Sequence, residues 1–391
     1  MTTQQHEGEL TDHPNTLNAL GICPEICRGC RHRHLSVSES ARQKQSWLAR
    51  RLSPWADRIE TIHLVDANRR LGYRRKVNLH ARYTPSGWQF GLMQRDKSVL
   101  AIPECPVHDP AINRLMQVLR ERLPDDASFP LRYVSVAEKQ IVLVVKAQHD
   151  PRFEDLARTL CTYLETSTFE GLWLHCNPAT GKRVYAKRDW HLCWGRERSM
   201  MSSGLLYGPA AFSQVLPELH QHSLDRSQHY LAIGPGDIVI DLYCGIGVSV
   251  ARWLEAGARV IGVDSGREAM ACARLNCPDA QLFLGNCADR LPQLNGSLAG
   301  MSGSERKKLY VNPPRTGLES QVLAWICNDY KPDRIAYLSC SAGTLARDLD
   351  YIERNGYRIE AIIPYDFFPH THHVETLALL SQTGLARCIL C

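Results

Sequence analysis

Beyond Gly208 the chain alternates short apolar strands with helical stretches, and no other feature restricts its fold as strongly. Seven strands are legible, at 237–242, 259–264, 280–284, 308–311, 334–339, 358–363 and 374–380. Strands separated by helices predict a doubly wound, mostly parallel α/β sheet, which binds ligands outside the carboxyl ends of its strands near the switch point. The chemically informative residues fall at those ends: Tyr243 to Gly247, Asp264, Asn312-Pro-Pro-Arg315, Cys340 and Asp366.

Upstream, from Arg58 to Trp194, the pattern is alternating and aromatic, as in 76–83 and 140–146, with one helical stretch around Ile112 to Leu123. This predicts an α+β domain with an antiparallel sheet. Ser36 to Ser53 reads as an amphipathic helix opening on capping serines. The expected division is a flexible tail at 1–20, a cysteine-cluster segment and helix at 21–54, a central α+β domain at 55–208 and the doubly wound domain at 209–391.

With 391 residues, 44% of them hydrophobic, the chain can bury two or three cores. Its first residues are polar and no apolar run is long enough to span a bilayer, so a cytoplasmic protein, monomeric and without a membrane partner, is expected. Fifteen cysteines are too many for disulfides in a reducing compartment, so the clustered ones read as metal ligands or catalytic thiols. The net charge of +5 is modest, but cations cluster with aromatics at Arg69-Arg70-Leu-Gly-Tyr73-Arg74-Arg75-Lys76 and at Lys182-Arg183-Val-Tyr185-Ala-Lys187-Arg188 with Trp190. Such mixtures suit phosphate contacts and base stacking, and make RNA the expected partner of the central domain.

In Asp241-Leu-Tyr243-Cys-Gly245-Ile-Gly247 the glycines let the backbone turn sharply beside a ligand, and Asp264 at the next strand end can take both ribose hydroxyls. A dinucleotide fingerprint would need a third glycine where Val250 stands. With Asn312-Pro-Pro-Arg315, a loop that borders methyl-donor pockets, the turn points to S-adenosylmethionine. Cys340 sits where a strand meets a helix start, whose positive potential favours a thiolate, and Glu375 follows as a candidate general base. A thiolate that adds to C6 of uracil makes C5 nucleophilic toward a methyl sulfonium, and a base must then remove the C5 proton.

These motifs resemble the bacterial RNA 5-methyluridine methyltransferases, whose signatures are Asp-Pro-Pro-Arg, Ser-Cys-Asn-Pro-x-Thr-Leu-Ala-Arg-Asp and Phe-Pro-x-Thr-x-His-Val-Glu. The resemblance implies Cys340 as nucleophile and Glu375 as base, with Gln214, Tyr243, Gly245, Asp264 and Asn312 around the methyl donor. Three departures stand out: Asn312 for aspartate, Ser341-Ala342 for Asn-Pro, and Asp264 for glutamate. Asn312-Pro-Pro-Arg is similar to the branch acting on 23S rRNA rather than on the tRNA T-loop.

Cys23-Pro-Glu-Ile-Cys27-Arg-Gly-Cys30, with Cys105 as a distant fourth ligand, suits zinc or a [4Fe–4S] cluster. The resemblance favours iron–sulfur. The Cys-x3-Cys-x2-Cys spacing also occurs in radical S-adenosylmethionine enzymes, but those need a barrel around the cluster, and here the alternating half lies far along the chain. Two further alternatives are an exocyclic-amine methyltransferase, against which Arg315 counts, and a non-catalytic iron–sulfur RNA-binding protein, against which the intact Cys340 and Glu375 count.

Overall fold

The computed structural model describes residues 17–147, 152–178, 184–186, 188–212, 214–299 and 305–384. An N-terminal helix α1 (Val37–Arg51) opens with a reciprocal cap, in which the Ser36 hydroxyl accepts from the Glu39 backbone and the Glu39 carboxylate from that of Ser36. Two seven-stranded sheets follow.

The first sheet comprises β1 (Lys76–Thr84), β2 (Gly87–Met93), β3 (Val99–Ala101), β4 (Leu131–Ala137), β5 (Gln140–Val145), β6 (Gly171–Cys176) and β7 (Trp190–Gly195), in the order β3-β2-β1-β4-β5-β6-β7. In β1, Val77, Leu79 and Ala81 are buried while Asn78 and Arg82 are exposed, the two-residue period of a half-covered sheet. The cover is α2 (Pro110–Arg122) and α3 (Arg152–Glu165). α3 was not anticipated from sequence, although Phe153, Leu156, Ala157, Leu160 and Leu164 keep helical spacing. Its presence explains the one parallel pair, β5–β6, because parallel neighbours need a crossover. A short ribbon of β8 (Ser199–Met200) and β9 (Leu206–Tyr207) leads onward.

The second sheet is built from β10 (Asp237–Leu242), β11 (Arg259–Asp264), β12 (Gln281–Leu284), β13 (Arg306–Val311), β14 (Arg334–Ser339), β15 (Tyr357–Tyr365) and β16 (Glu375–Gln382). Its order is β12-β11-β10-β13-β14-β16-β15, parallel except for β16, which runs antiparallel to both neighbours. All seven expected strands are present. Helices α4 (Pro217–Leu231), α5 (Val248–Glu255), α6 (Arg267–Asn276), α7 (Cys287–Leu298), α8 (Ser320–Trp325) and α9 (Ala342–Arg354) connect and flank them. The order reverses at β10, between β11 and β13, so the switch point lies at the Tyr243 turn.

The N-terminal segment is integrated with this second sheet. Leu48, Leu52 and Trp55 join its core, and the backbone at Glu60 and His63 donates to Ile362 O (2.8 Å) and Pro364 O (2.9 Å) of β15. Leu17, placed by the sequence in a flexible tail, is buried in an apolar cluster with Val65, Tyr73 and Leu379.

Candidate active site

The methyl-donor side is set by backbone geometry. Tyr243 adopts φ 63°, Gly247 φ 89°, and a β-carbon on Gly247 would stand 2.9 Å from Cys277 Sγ, so only glycine fits between the turn and α6. Asp264 ends β11 and accepts from Gly245 N (3.0 Å) and Gly266 N (2.6 Å), which leaves each oxygen with a further lone pair. Burial raises its pKa despite these two bonds. Asn312 follows β13 and donates its backbone N–H to Leu242 O at 3.3 Å, which brings it beside the turn. Asn276 Nδ2 ties Leu206 O and Ile246 O, both at 2.9 Å, so the chain leading to buried Gln214 also passes the turn. Tyr243 directs its hydroxyl to the Glu319 carboxylate. Asp241, which precedes the turn, is fully buried with Oδ2 accepting from Trp253 Nε1 (2.9 Å), and burial lifts its pKa to about 7.

Cys340 and Glu375 meet because β16 is antiparallel to β14. Ser339 pairs with Thr376, so the end of one strand adjoins the start of the other. Burial, then the Glu375 charge, raises the Cys340 pKa, while Arg315 lowers it and lies within its hydrogen-bonding reach. The expected thiolate at a helix start is therefore outweighed in the free protein by desolvation and a neighbouring carboxyl. Glu375 is 4% exposed, and burial pushes it up to about 7 against the pull of Arg315. A carboxyl with its pKa near neutrality, next to a thiol, is equipped for base chemistry.

Arg315, noticed in the sequence only as part of a loop motif, thus faces both reactive groups. Its loop is braced by α9. Thr344 Oγ1 donates to Arg315 O (3.2 Å), Arg347 Nη2 to Thr316 O (3.1 Å) and Leu318 O (3.0 Å), and Asp348 accepts from Leu318 N (2.9 Å). The spacing of Thr344, Arg347 and Asp348 puts all three on one helix face. Gly317, at φ 74°, fits closely against those three side chains.

Asp366 has a structural task at its strand end. Its carboxylate takes Lys44 Nζ and Arg70 Nη2 (3.2 Å) in a buried trio. The arch leading to Glu375 is held from the same side: Lys44 Nζ donates to Phe368 O (3.2 Å), Tyr73 Oη to Pro369 O (3.0 Å) and His32 N to His370 O (2.9 Å). Nothing in the local pattern of Lys44, Arg70 or Tyr73 signalled this clamp.

The basic run at 69–76, expected to contact RNA, is partly committed to the fold. Arg70 is buried, Lys76 Nζ donates to Ala211 O (2.7 Å), and exposed Arg69 and Arg75 pair with Glu218 and Asp109. Of the run at 182–188, Lys182, Arg183 and Lys187 lie outside the described residues. Tyr185 packs with His175 and Trp190 against the sheet.

Cys23, Cys27, Cys30 and Cys105 are free thiols. Cys23, Cys30 and Cys105 abut one apolar cluster, and Cys30 is pushed up to about 12 by burial and then by Cys105. Among the described residues no three His, Cys, Asp or Glu side chains stand close enough to hold a metal ion. No described helix is long and apolar enough to cross a membrane.

A doubly wound sheet with a glycine turn after β10 and an acid ending β11 defines the fold of an S-adenosylmethionine-dependent methyltransferase. Residues 300–383, which carry Asn312, Cys340 and Glu375, match the family described as tRNA (Uracil-5-)-methyltransferase. The chain is 26% identical over 398 residues to the 23S rRNA (uracil(1939)-C(5))-methyltransferase RlmD of Acinetobacter baylyi, covering 97% of this chain and 85% of that one. It is 28% identical to the protein of the same name from Thiobacillus denitrificans, over 91% of this chain and 83% of that one. Among solved structures, the Pyrococcus abyssi tRNA (uracil-54, C5)-methyltransferase in complex with S-adenosyl-L-homocysteine matches with a TM-score of 0.67 at 25% identity, over 90% of this chain and 84% of that one. Over nine-tenths of its length the chain is thus similar to RNA uracil-C5 methyltransferases.

Proposed function

We propose that this protein methylates C5 of a uridine in 23S rRNA through a covalent adduct on Cys340, with Glu375 as base. The observation that carries the mechanism is the convergence of Cys340, Glu375 and Arg315: Glu375 and Arg315 both act on the Cys340 thiol, and Arg315 acts on the Glu375 carboxyl. Cys340 Sγ bonds to C6, and the electrons of the C5–C6 double bond move onto the C4 carbonyl oxygen. C5 then takes the methyl group from the sulfonium, which leaves as a neutral thioether. Glu375 removes the C5 proton, the S–C6 bond breaks, the ring double bond re-forms and Cys340 is freed. Arg315 is the cation that draws thiol and carboxyl back toward their charged forms. Gln214, Tyr243, Gly245, Asp264 and Asn312 hold the methyl donor.

The ribosomal substrate is favoured by the names of the relatives that align over nine-tenths of the chain. The tRNA T-loop is the second reading, since the solved relative acts on tRNA uracil-54. Mapping 5-methyluridine in ribosomal and transfer RNA from cells lacking the protein tests both. Loss of one 23S rRNA site is expected; loss confined to tRNA would transfer the assignment.

Cys23, Cys27, Cys30 and Cys105 are proposed to hold a [4Fe–4S] cluster that ties the N-terminal segment to the central sheet. The donor set fits in kind: four free thiols, three of them against one apolar cluster and raising one another's pKa. A cubane takes one thiolate at each of four iron corners, so its ligands stand further apart than those around a single ion. When bound, the group would supply a rigid cross-link beside the clamp that holds the Glu375 arch.

A further inference from the structure

A cavity of about 400 Å³ opens between α1 and the arch that precedes Glu375, lined by His32, Arg42, Lys44, Trp47, Arg50 and His372 among others. None of its lining residues is acidic. Arg42 and Arg50 are exposed on α1 two turns apart, on the face opposite buried Lys44 and Leu48. Exposed Arg69 and Arg75 pair with Glu218 and Asp109, whereas Arg42 and Arg50 have no ion pair among the described residues. The charge of Lys44, at the cavity floor, is already taken by Asp366. Two uncommitted guanidinium groups therefore face a concave surface.

Trp47, which also lines the cavity, is half-buried and packs on the core of the second sheet. His32 is anchored through Nδ1 to the Ser40 hydroxyl (2.9 Å), and His372 rests against the His373 ring at 4.2 Å. Cations for phosphate, an aromatic face for a base and imidazole hydrogen-bonding edges for a sugar are the parts of a single-stranded nucleotide site.

The cavity approaches the catalytic centre through His372. His372 lies three residues before Glu375, and the Arg315 charge acts on His372 and His373 as well as on Cys340 and Glu375. An enzyme that flips a uridine toward Cys340 also contacts the nucleotides that flank it. We propose that this cavity binds a nucleotide flanking the target uridine, with Arg42 and Arg50 on its phosphates and the base against Trp47. The inference rests on the reading of the protein as an RNA uracil methyltransferase.

The test compares binding, across a salt series, of a methylatable RNA stem-loop and of a fragment trimmed to the target uridine. Arg42→Gln with Arg50→Gln should weaken the stem-loop roughly tenfold and lower the salt slope by about 2, one for each phosphate that is no longer neutralised. Affinity for the trimmed fragment and for S-adenosylmethionine should not change. The double lysine variant should recover most of the slope. Trp47→Leu should weaken the stem-loop roughly fivefold or more while leaving the slope alone. Because Trp47 also packs on the core, the arginine variants carry the decision: an unchanged slope, or an equal loss on the trimmed fragment, overturns the proposal. Wild-type protein that neither binds nor methylates RNA overturns the underlying reading, and this inference with it.

Discussion

Replacing Glu375 by glutamine should stabilise the fold at alkaline pH while ending turnover. The carboxyl rises from an ordinary 4.5 to about 7 because burial penalises its charge more than Arg315 rewards it. At about 1.4 kcal/mol per pH unit, that displacement is worth roughly 3 kcal/mol. Since the folded state holds a proton that the unfolded chain releases, the contribution is intact below 4.5 and lost as pH rises through about 7. Glutamine cannot ionise and escapes that loss. Urea unfolding of both proteins across this range should therefore give a difference near zero at the acid end. The difference should grow through the window and level off near 3 kcal/mol in favour of the variant above about pH 8. A flat difference, or a more stable wild type at alkaline pH, would refute the buried, proton-holding Glu375.

On the chemical side, Cys340→Ala should bind RNA and methyl donor yet form no adduct. Glu375→Gln should stall as a covalent protein–RNA complex that persists on a denaturing gel, and substantial turnover by Cys340→Ala would sink the covalent mechanism. Asp366→Ala leaves Lys44 and Arg70 buried without their counter-charge, so it should cost about 3–5 kcal/mol in denaturant unfolding. A loss under about 1 kcal/mol would mean that the trio is solvated. Turnover under saturating substrates should rise with pH through about 7 as Glu375 deprotonates, and a pH-independent rate between pH 5 and 8 would remove it as base. Protein prepared without oxygen should be brown and lose its visible absorption on Cys30→Ala, whereas a colourless, zinc-replete preparation would rule out iron.

The order of elements along the second half was written in the sequence, because each parallel strand is a short apolar run. Tyr243 to Gly247, Asp264, Asn312 and Cys340 lie where four of those strands end, and α5 begins at Val248, where the glycine turn releases the chain. The same local rules were readable but unread in α3, whose apolar residues keep helical spacing between two strands that could only then run parallel. Tertiary structure alone decided three things. β16 inserts antiparallel between β14 and β15, which puts Glu375 beside Cys340 and, by burying it, sets its pKa. Lys44 reaches Asp366 across 322 positions, a pairing that depends on where two distant backbones pack and leaves no periodic trace. Likewise, Arg70 and Lys76 point inward while Arg42 and Arg50 stay exposed on α1 with no ion pair among the described residues. Charge in a sequence records which groups are available, but only packing determines which of them are already spent on the fold.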